Sequence, residues 1–193
     1  EQIELDEFHS VACSGARIEH VTEGVAKQPE TKETYSLGRW FPGYQQQQDY
    51  LVYLSPQTIT LSVGGNDVGF ANKLKECVLG PGTCKYAEAS EFRSYVAMEI
   101  TAMYDRLVET YSKLIAKTEN NTKIYVDGYP QFVKSTGGSC GLNVHLNDSE
   151  RLFISNATSY MNQVISAAAA EAGVYYLDVE SALEGRNLCS IVE

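Results

Sequence analysis

Apolar residues along this chain follow two rhythms. Four short runs, Phe8–Ala12, Ile59–Val63, Lys123–Asp127 and Val174–Asp178, are β-branched or aromatic and bounded by Gly, Asn or Pro, which is how buried strands read. Two long segments repeat their apolar residues at helical steps. Glu91–Thr118 carries Phe92, Val96, Met103, Leu107 and Leu114, and Asp148–Ala172 carries Phe153, Ala157, Tyr160, Val164 and Ala168. Asn147-Asp-Ser-Glu150, just ahead of the second segment, reads as a capping box. Strands alternating with helices predict an α/β protein, a parallel sheet with helices on both faces in three α/β/α layers. No internal repeat is visible, and 193 residues fit one domain, 1–193.

One stretch breaks the pattern. Glu23–Gln48 is long and polar, with the only tryptophan in Gly38-Arg-Trp-Phe-Pro-Gly43 and the run Gln45–Gln48. It reads as a surface loop leading into a helix and packed down by Trp40 and Phe41. A substrate-facing lid is the alternative, since long loops in compact domains are often functional.

Composition narrows the function classes. Hydrophobic residues at 44% and charged residues at 21% describe a globular protein. A net charge of −10 and pI near 4.8 exclude a phosphate-neutralising patch, so nucleic acid is not an expected partner. No apolar run reaches the length of a transmembrane helix. With one residue left over, five cysteines allow fifteen pairings, five choices of the odd residue times three pairings of the rest. Cys77 and Cys84 flank the Gly/Pro-rich Val-Leu-Gly-Pro-Gly-Thr, a loop that would bring them together. No Cys-x-x-Cys pair supports a zinc site, and neither metal nor cofactor is implied. Sequons stand at Asn120, Asn147 and Asn156. Asn120, between a helix and a strand, and Asn147 are the glycosylation candidates, while Asn156 falls beside the apolar stripe of a helix. Cysteines and sequons together suggest a secreted eukaryotic glycoprotein.

The richest chemistry lies in Thr60-Leu-Ser-Val-Gly-Gly-Asn-Asp-Val-Gly-Phe70. A strand ends in two glycines, which let the backbone turn sharply, and an Asn follows on the turn. That placement suits a fixed amide donor aimed at a developing oxyanion. As an ordinary turn, the same segment would use Asp67 as a helix cap. Upstream, Phe8-His-Ser-Val-Ala-Cys-Ser-Gly-Ala-Arg17 ends a strand in Ser14-Gly15; downstream, Lys123-Ile-Tyr-Val-Asp-Gly-Tyr-Pro-Gln-Phe132 ends one in Gly128-Tyr-Pro130. Ligands of open parallel sheets bind beyond the carboxyl ends of the strands, so the three turns are expected at one edge.

In this order the three segments resemble the SGNH (GDSL-type) hydrolase family, in its secreted lipase and esterase branch and fungal-like. The resemblance runs from Phe8 to Cys189, and Gly64-Gly-Asn-Asp67 is its most specific block. It implies a flavodoxin-like sheet and an oxyanion hole made by the Gly15 N–H and the Asn66 side chain. Ser14, Gly65, Asp67 and Tyr129 would support that site, with Asp67 holding the turn and Tyr129 lining the substrate or packing. It further implies bridges Cys77–Cys84 and Cys140–Cys189, with Cys13 paired to a cysteine in an N-terminal part beyond this chain. The implied partner is an ester substrate, the implied location extracellular and the expected state a monomer.

The departures are as informative. No Gly-Asp-Ser block, which holds the family's nucleophile, occurs, and no Asp-x-x-His block, which holds its base, follows Cys189. The chain therefore reads as the middle of a hydrolase domain, incomplete at both ends and inactive by itself. Asp6-Glu-Phe-His9 fits Asp-x-x-His literally but precedes both other blocks, so His9 reads as a strand residue. His20 and His145 have no sequence partner that makes either a base and read as solvated or capping. Ser14 lies outside any Gly-x-Ser-x-Gly elbow. A non-catalytic relative that binds carbohydrate or lipid is the alternative function.

Overall fold

The structure, a computed structural model, describes residues 8–25, 46–79, 84–119, 121–138, 140, 144 and 146–190. Its sheet has strands β1 (Thr58–Leu61), β2 (Lys123–Asp127) and β3 (Tyr175–Leu177) in that order, all parallel. Register sets Ile59 beside Ile124, and Leu61 beside Val126 and then Tyr176. Alternate residues share a face, so these five form one apolar side. They join a core with Ile18, Ile100, Leu107, Tyr111, Met161 and Ala168. Thr60, Tyr125 and Tyr175 are neighbours on the other face. There the two tyrosine rings stack at 5.1 Å, and Tyr175 and Leu177 remain exposed.

The helices are α1 (Ile18–Thr22), α2 (Leu51–Leu54), α3 (Phe70–Leu79), α4 (Lys85–Glu88), α5 (Ser90–Thr101), α6 (Tyr104–Lys117) and α7 (Asp148–Ala172). The α/β class with an open parallel sheet stands. Among the described residues, the helical residues of the core that meets the sheet come from α1, α5, α6 and α7 and lie on one face. Crossover handedness explains this for α5, α6 and α7, which lie in the links between the strands. The links from β1 to β2 and from β2 to β3 both step across the sheet in the same direction, and right-handed connections then deliver their helices to the same side.

Two predicted elements differ. Phe8–Ala12 is not a ladder strand; only Ser10 makes a bridge. In a flavodoxin-like order the second strand in sequence is separated from the third by the first, so a segment in that second place does not pair with the strand that follows it. Phe8–Ala12 is accordingly not a strand of the sheet that β1, β2 and β3 build. Glu91–Thr118 is not one helix but α5 and α6, broken at Ala102 and Met103. Thr101 Oγ1 bonds the Ala97 carbonyl at 2.8 Å and meets the Tyr160 hydroxyl at 2.7 Å, and such back-bonding bends helices. Met103 N–H then takes the Ile100 carbonyl in a tighter turn. The break seats Met103 under the Gly64 turn, where a Cβ on Gly64 would come within 3.3 Å of its sulfur.

The long helix α7 has the predicted bounds. Asn147 Oδ1 accepts the Glu150 N–H at 3.0 Å, and Glu150 Oε2 accepts the Asn147 N–H at 2.9 Å. The other Glu150 oxygen accepts the Cys84 N–H at 2.6 Å, so this buried carboxylate joins the helix start to a disulfide loop. Bridges Cys77–Cys84 and Cys140–Cys189 are both present, and Cys13 is in neither. Asn156 lies on α7 beside the buried stripe, as expected, and is itself exposed; residues 154, 157 and 158 carry the burial there. Asn120, Trp40, Phe41 and His145 lie outside the described residues. The segment 23–48 is described at its ends, which meet where Gln46 Oε1 accepts the Gly24 N–H at 2.7 Å.

Asn147→Ala is expected to cost about 1 kcal/mol of stability, the usual worth of an N-cap. Glu150→Ala strips acceptors from two N–H groups, one of them buried, and should cost about 2–3 kcal/mol. Urea denaturation measures both, and the order of the two losses is the test.

Candidate active site

The first part of the site is the turn after β1. Val63 and Val68, both buried, anchor its ends. Gly64 has φ +116, a region that favours glycine. Its carbonyl accepts the Asp67 N–H at 2.9 Å and the Val68 N–H at 3.3 Å, and the Gly65 carbonyl accepts the Phe70 N–H at 2.9 Å, which leads into α3. Asn66 is left exposed at the crest. The second part is the turn Cys13–Ala16, closed by Ala16 N–H on the Cys13 carbonyl at 3.1 Å. Gly15 has φ +70 at the third position, where a turn with positive φ takes glycine.

Two side chains join these turns across 49 or 50 residues of sequence. Asn66 Nδ2 donates to the Ala16 carbonyl at 2.9 Å. The Asp67 carboxylate accepts the Ile18 N–H at 3.1 and 3.3 Å and an Arg106 Nη1 hydrogen bond at 3.1 Å. Arg106 also donates from Nε and Nη2 to the two oxygens of Glu23, at 2.9 and 3.1 Å. Asp67 does not cap its own helix; it reaches to the start of α1. Its side chain is 4% exposed. Burial raises its carboxyl above the ordinary range, against the opposing pull of the Ile18 N–H and Arg106.

Gly15 and Asn66 therefore line one cleft of about 420 Å³, with Arg17, Glu19, His20 and Asn72. The expected juxtaposition is present. A primary amide has two N–H hydrogens, so Asn66 keeps one beyond the Ala16 bond. His20 caps: its Nδ1 accepts the Arg17 N–H at 2.8 Å, and its Nε2 lies 3.6 Å from Glu19 Oε1. That it also faces the cleft was missed. The signal was its place three residues after Arg17, at the first turn of a helix that follows Ser14-Gly15. Ser14 is exposed in its turn, and neither Ser14 nor His9 is among the residues lining the cleft.

Tyr129 and Gly65 meet beneath the crest, where the Tyr129 hydroxyl accepts the Gly65 N–H at 2.9 Å. Burial, with Asp67 and Asp127 nearby, raises that phenol above its ordinary range. Behind it stand residues that sequence reading did not single out. Asn162 Oδ1 accepts the Tyr129 N–H at 2.7 Å, and Asn162 Nδ2 donates to the Tyr129 carbonyl at 2.8 Å and to Glu180 Oε2 at 3.0 Å. Among the described residues no group of three or more His, Cys, Asp or Glu is placed to hold a metal ion.

An open parallel sheet with glycine turns and an exposed Asn at its carboxyl edge places the chain among the α/β folds that build their site from strand-end loops. The GDSL-like lipase/acylhydrolase family model matches residues 4–190. The chain belongs to that family. A lipase of Streptomyces rimosus is 31% identical over 183 residues, covering 95% of this chain and 57% of that protein. The solved extracellular lipase of Streptomyces rimosus has a TM-score of 0.55 at 26% identity, covering 74% of this chain and 61% of that one. A phospholipase A1 of Streptomyces albidoflavus has a TM-score of 0.57 at 28% identity, covering 93% and 64%. The chain thus spans 57–61% of the length of the curated relatives it matches.

Hydrogen bonds from Asn162, Ser159 and Gln131 hold the Glu180 carboxyl below the ordinary range. A lowered folded value means its contribution is complete above the unfolded carboxyl value and is lost as pH falls through the folded one. Glu180→Gln should therefore be less stable than the parent at neutral pH, with the gap closing as the solution is acidified. Thermal melts across the acid range follow this directly. A gap that widened toward low pH would contradict the assignment.

Proposed function

We propose that these residues form the oxyanion-binding part of a secreted serine hydrolase of carboxylic esters. The observation that carries the reading is the junction of the Gly15 turn with Asn66 in one cleft at the carboxyl edge of the sheet. In this reading the ester carbonyl enters the cleft, and a serine hydroxyl attacks it while a histidine takes the proton. The negative charge forming on the carbonyl oxygen is met by the Gly15 N–H and the second Asn66 hydrogen. The leaving alcohol takes the proton back from the histidine, and water repeats the sequence on the acyl-enzyme. Gly-Asp-Ser and Asp-x-x-His blocks outside these 193 residues would supply the serine and histidine.

Relatives named as lipases and a phospholipase A1 support an ester substrate, either lipid, acylated carbohydrate or a small ester. Two disulfides support an oxidising, extracellular location. Glycans at Asn120 and Asn147 belong to the same reading. At Asn147 the capping bond uses Oδ1, which leaves Nδ2 for a sugar.

The test compares the 193 residues with the full-length natural protein. The short chain should give no rate above background on p-nitrophenyl esters and no fluorophosphonate labelling. The full-length protein should give both, and Asn66→Ala in it should lower kcat by about a hundred- to thousandfold. A full-length protein that binds lipid or carbohydrate but hydrolyses nothing would replace this reading with a non-catalytic one.

A further inference from the structure

We propose that Tyr129, clamped by Asn162 and Glu180, is a positioning residue for the oxyanion turn; this rests on the role proposed for Asn66. Asn66 is exposed on a turn of glycines, and glycine backbone is the most permissive of conformations. Something must fix the Gly65 peptide if the Asn66 amide is to hold one direction. The Gly65 N–H is fixed by one group, the Tyr129 hydroxyl at 2.9 Å. The fit is close on both sides. A Cβ on Gly65 would stand 2.9 Å from that hydroxyl oxygen and 3.1 Å from the ring carbon bearing it.

The hydroxyl can serve as a datum only if Tyr129 is itself fixed, and three observations show that it is. Asn162, 3% exposed, grips both backbone groups of Tyr129, much as a paired strand would. Gly128 lets the chain come that near, since a Cβ there would lie 2.8 Å from Asn162 Oδ1. The remaining Asn162 hydrogen goes to Glu180, whose other oxygen accepts from Ser159 Oγ at 2.5 Å and Gln131 Nε2 at 2.9 Å. The network runs from the end of β3 through α7 and the end of β2 to the turn after β1. None of its members is among the residues lining the cleft, so they act through Gly65 and Asn66 and not on substrate. A misplacement near 1 Å at a reacting group costs about a hundredfold in rate. A loosened but tethered turn should therefore cost about tenfold.

The experiment uses the full-length natural protein with p-nitrophenyl butyrate. Tyr129→Phe should lower kcat about tenfold with KM changed less than twofold. In an Asn66→Ala background the same change should do nothing further to kcat, because the group it positions is gone. A role in stability alone would lower Tm and leave kcat per folded molecule unchanged, and that result overturns the proposal. Losses that multiply in the double variant overturn it too. Glu180→Gln gives a second route should Tyr129→Phe fold poorly: a smaller fall in kcat that vanishes in the Asn66→Ala background supports the network, and an unchanged kcat refutes it. If Asn66→Ala itself leaves kcat intact, the oxyanion reading falls and this proposal with it. If Asn66→Ala is costly and Tyr129→Phe is silent, this proposal alone fails.

Discussion

Everything at the cleft depends on the Asp67 carboxylate. The turns at 13–16 and 64–69 come from distant parts of the chain, and two side chains of the second, Asn66 and Asp67, tie it to the first turn and to the helix that follows that turn. Helix α1, which follows the first turn, is five residues long, far below the length at which a helix holds itself in water. Its start is instead held from outside, by a carboxylate that accepts the Ile18 N–H while paired with Arg106. A charge 4% exposed is costly unless paired and hydrogen-bonded, and here both conditions are met. Removing either donor would leave the other as the sole compensation for a buried charge, which is more destabilising than the pair is stabilising.

The sheet explains why these turns meet at all. Parallel strands all point one way, so their carboxyl ends share an edge, and each turn inherits its position from a strand or a neighbour of one. The single buried face, with Ile59, Leu61, Ile124, Val126 and Tyr176 against the helices, fixes the register, since a slip of one residue would send each of these side chains to the wrong side. Gly128 and Gly64 then allow two close approaches, one to α7 and one to Met103. Met103, at the helix break after Thr101, is the residue that fills the space beneath Gly64.

The sequence made legible whatever follows from periodicity or from short local patterns. The 3.6-residue repeat and the Asn147/Glu150 pair gave α7 with its bounds, and β-branched runs gave the three strands of the sheet. Gly-Gly-Asn-Asp marked the crest of the site, and the resemblance it carries implied both bridges. What could not be read depends on a partner distant in sequence. Phe8–Ala12 has the composition of a strand, but pairing requires a neighbour that composition cannot supply. The bend at Thr101 needs Tyr160 as well as a local back-bond. Arg106, Asn162 and Glu180 sit on helical faces or after a strand like any solvated polar residue, and only the fold gives them their partners. Asp67 is the mixed case: its importance was visible, but its target, the Ile18 N–H, was not.

At first sight the hydrogen bond from Asn66 to Ala16 spends the donor that the proposed chemistry requires. Its geometry argues the reverse. A free carboxamide rotates about its terminal torsion, and its two N–H bonds then sweep the cleft. Binding one hydrogen to the Ala16 carbonyl at 2.9 Å fixes that rotation, and because the amide is planar the second hydrogen is fixed with it. Electrostatic catalysis draws its strength from donors that are already oriented when charge develops, so that no reorganisation is needed at the moment of reaction. The carbonyl that orients Asn66 belongs to the residue after Gly15. The proposed side-chain donor and the backbone turn that carries the other proposed donor are thus aligned by the same contact.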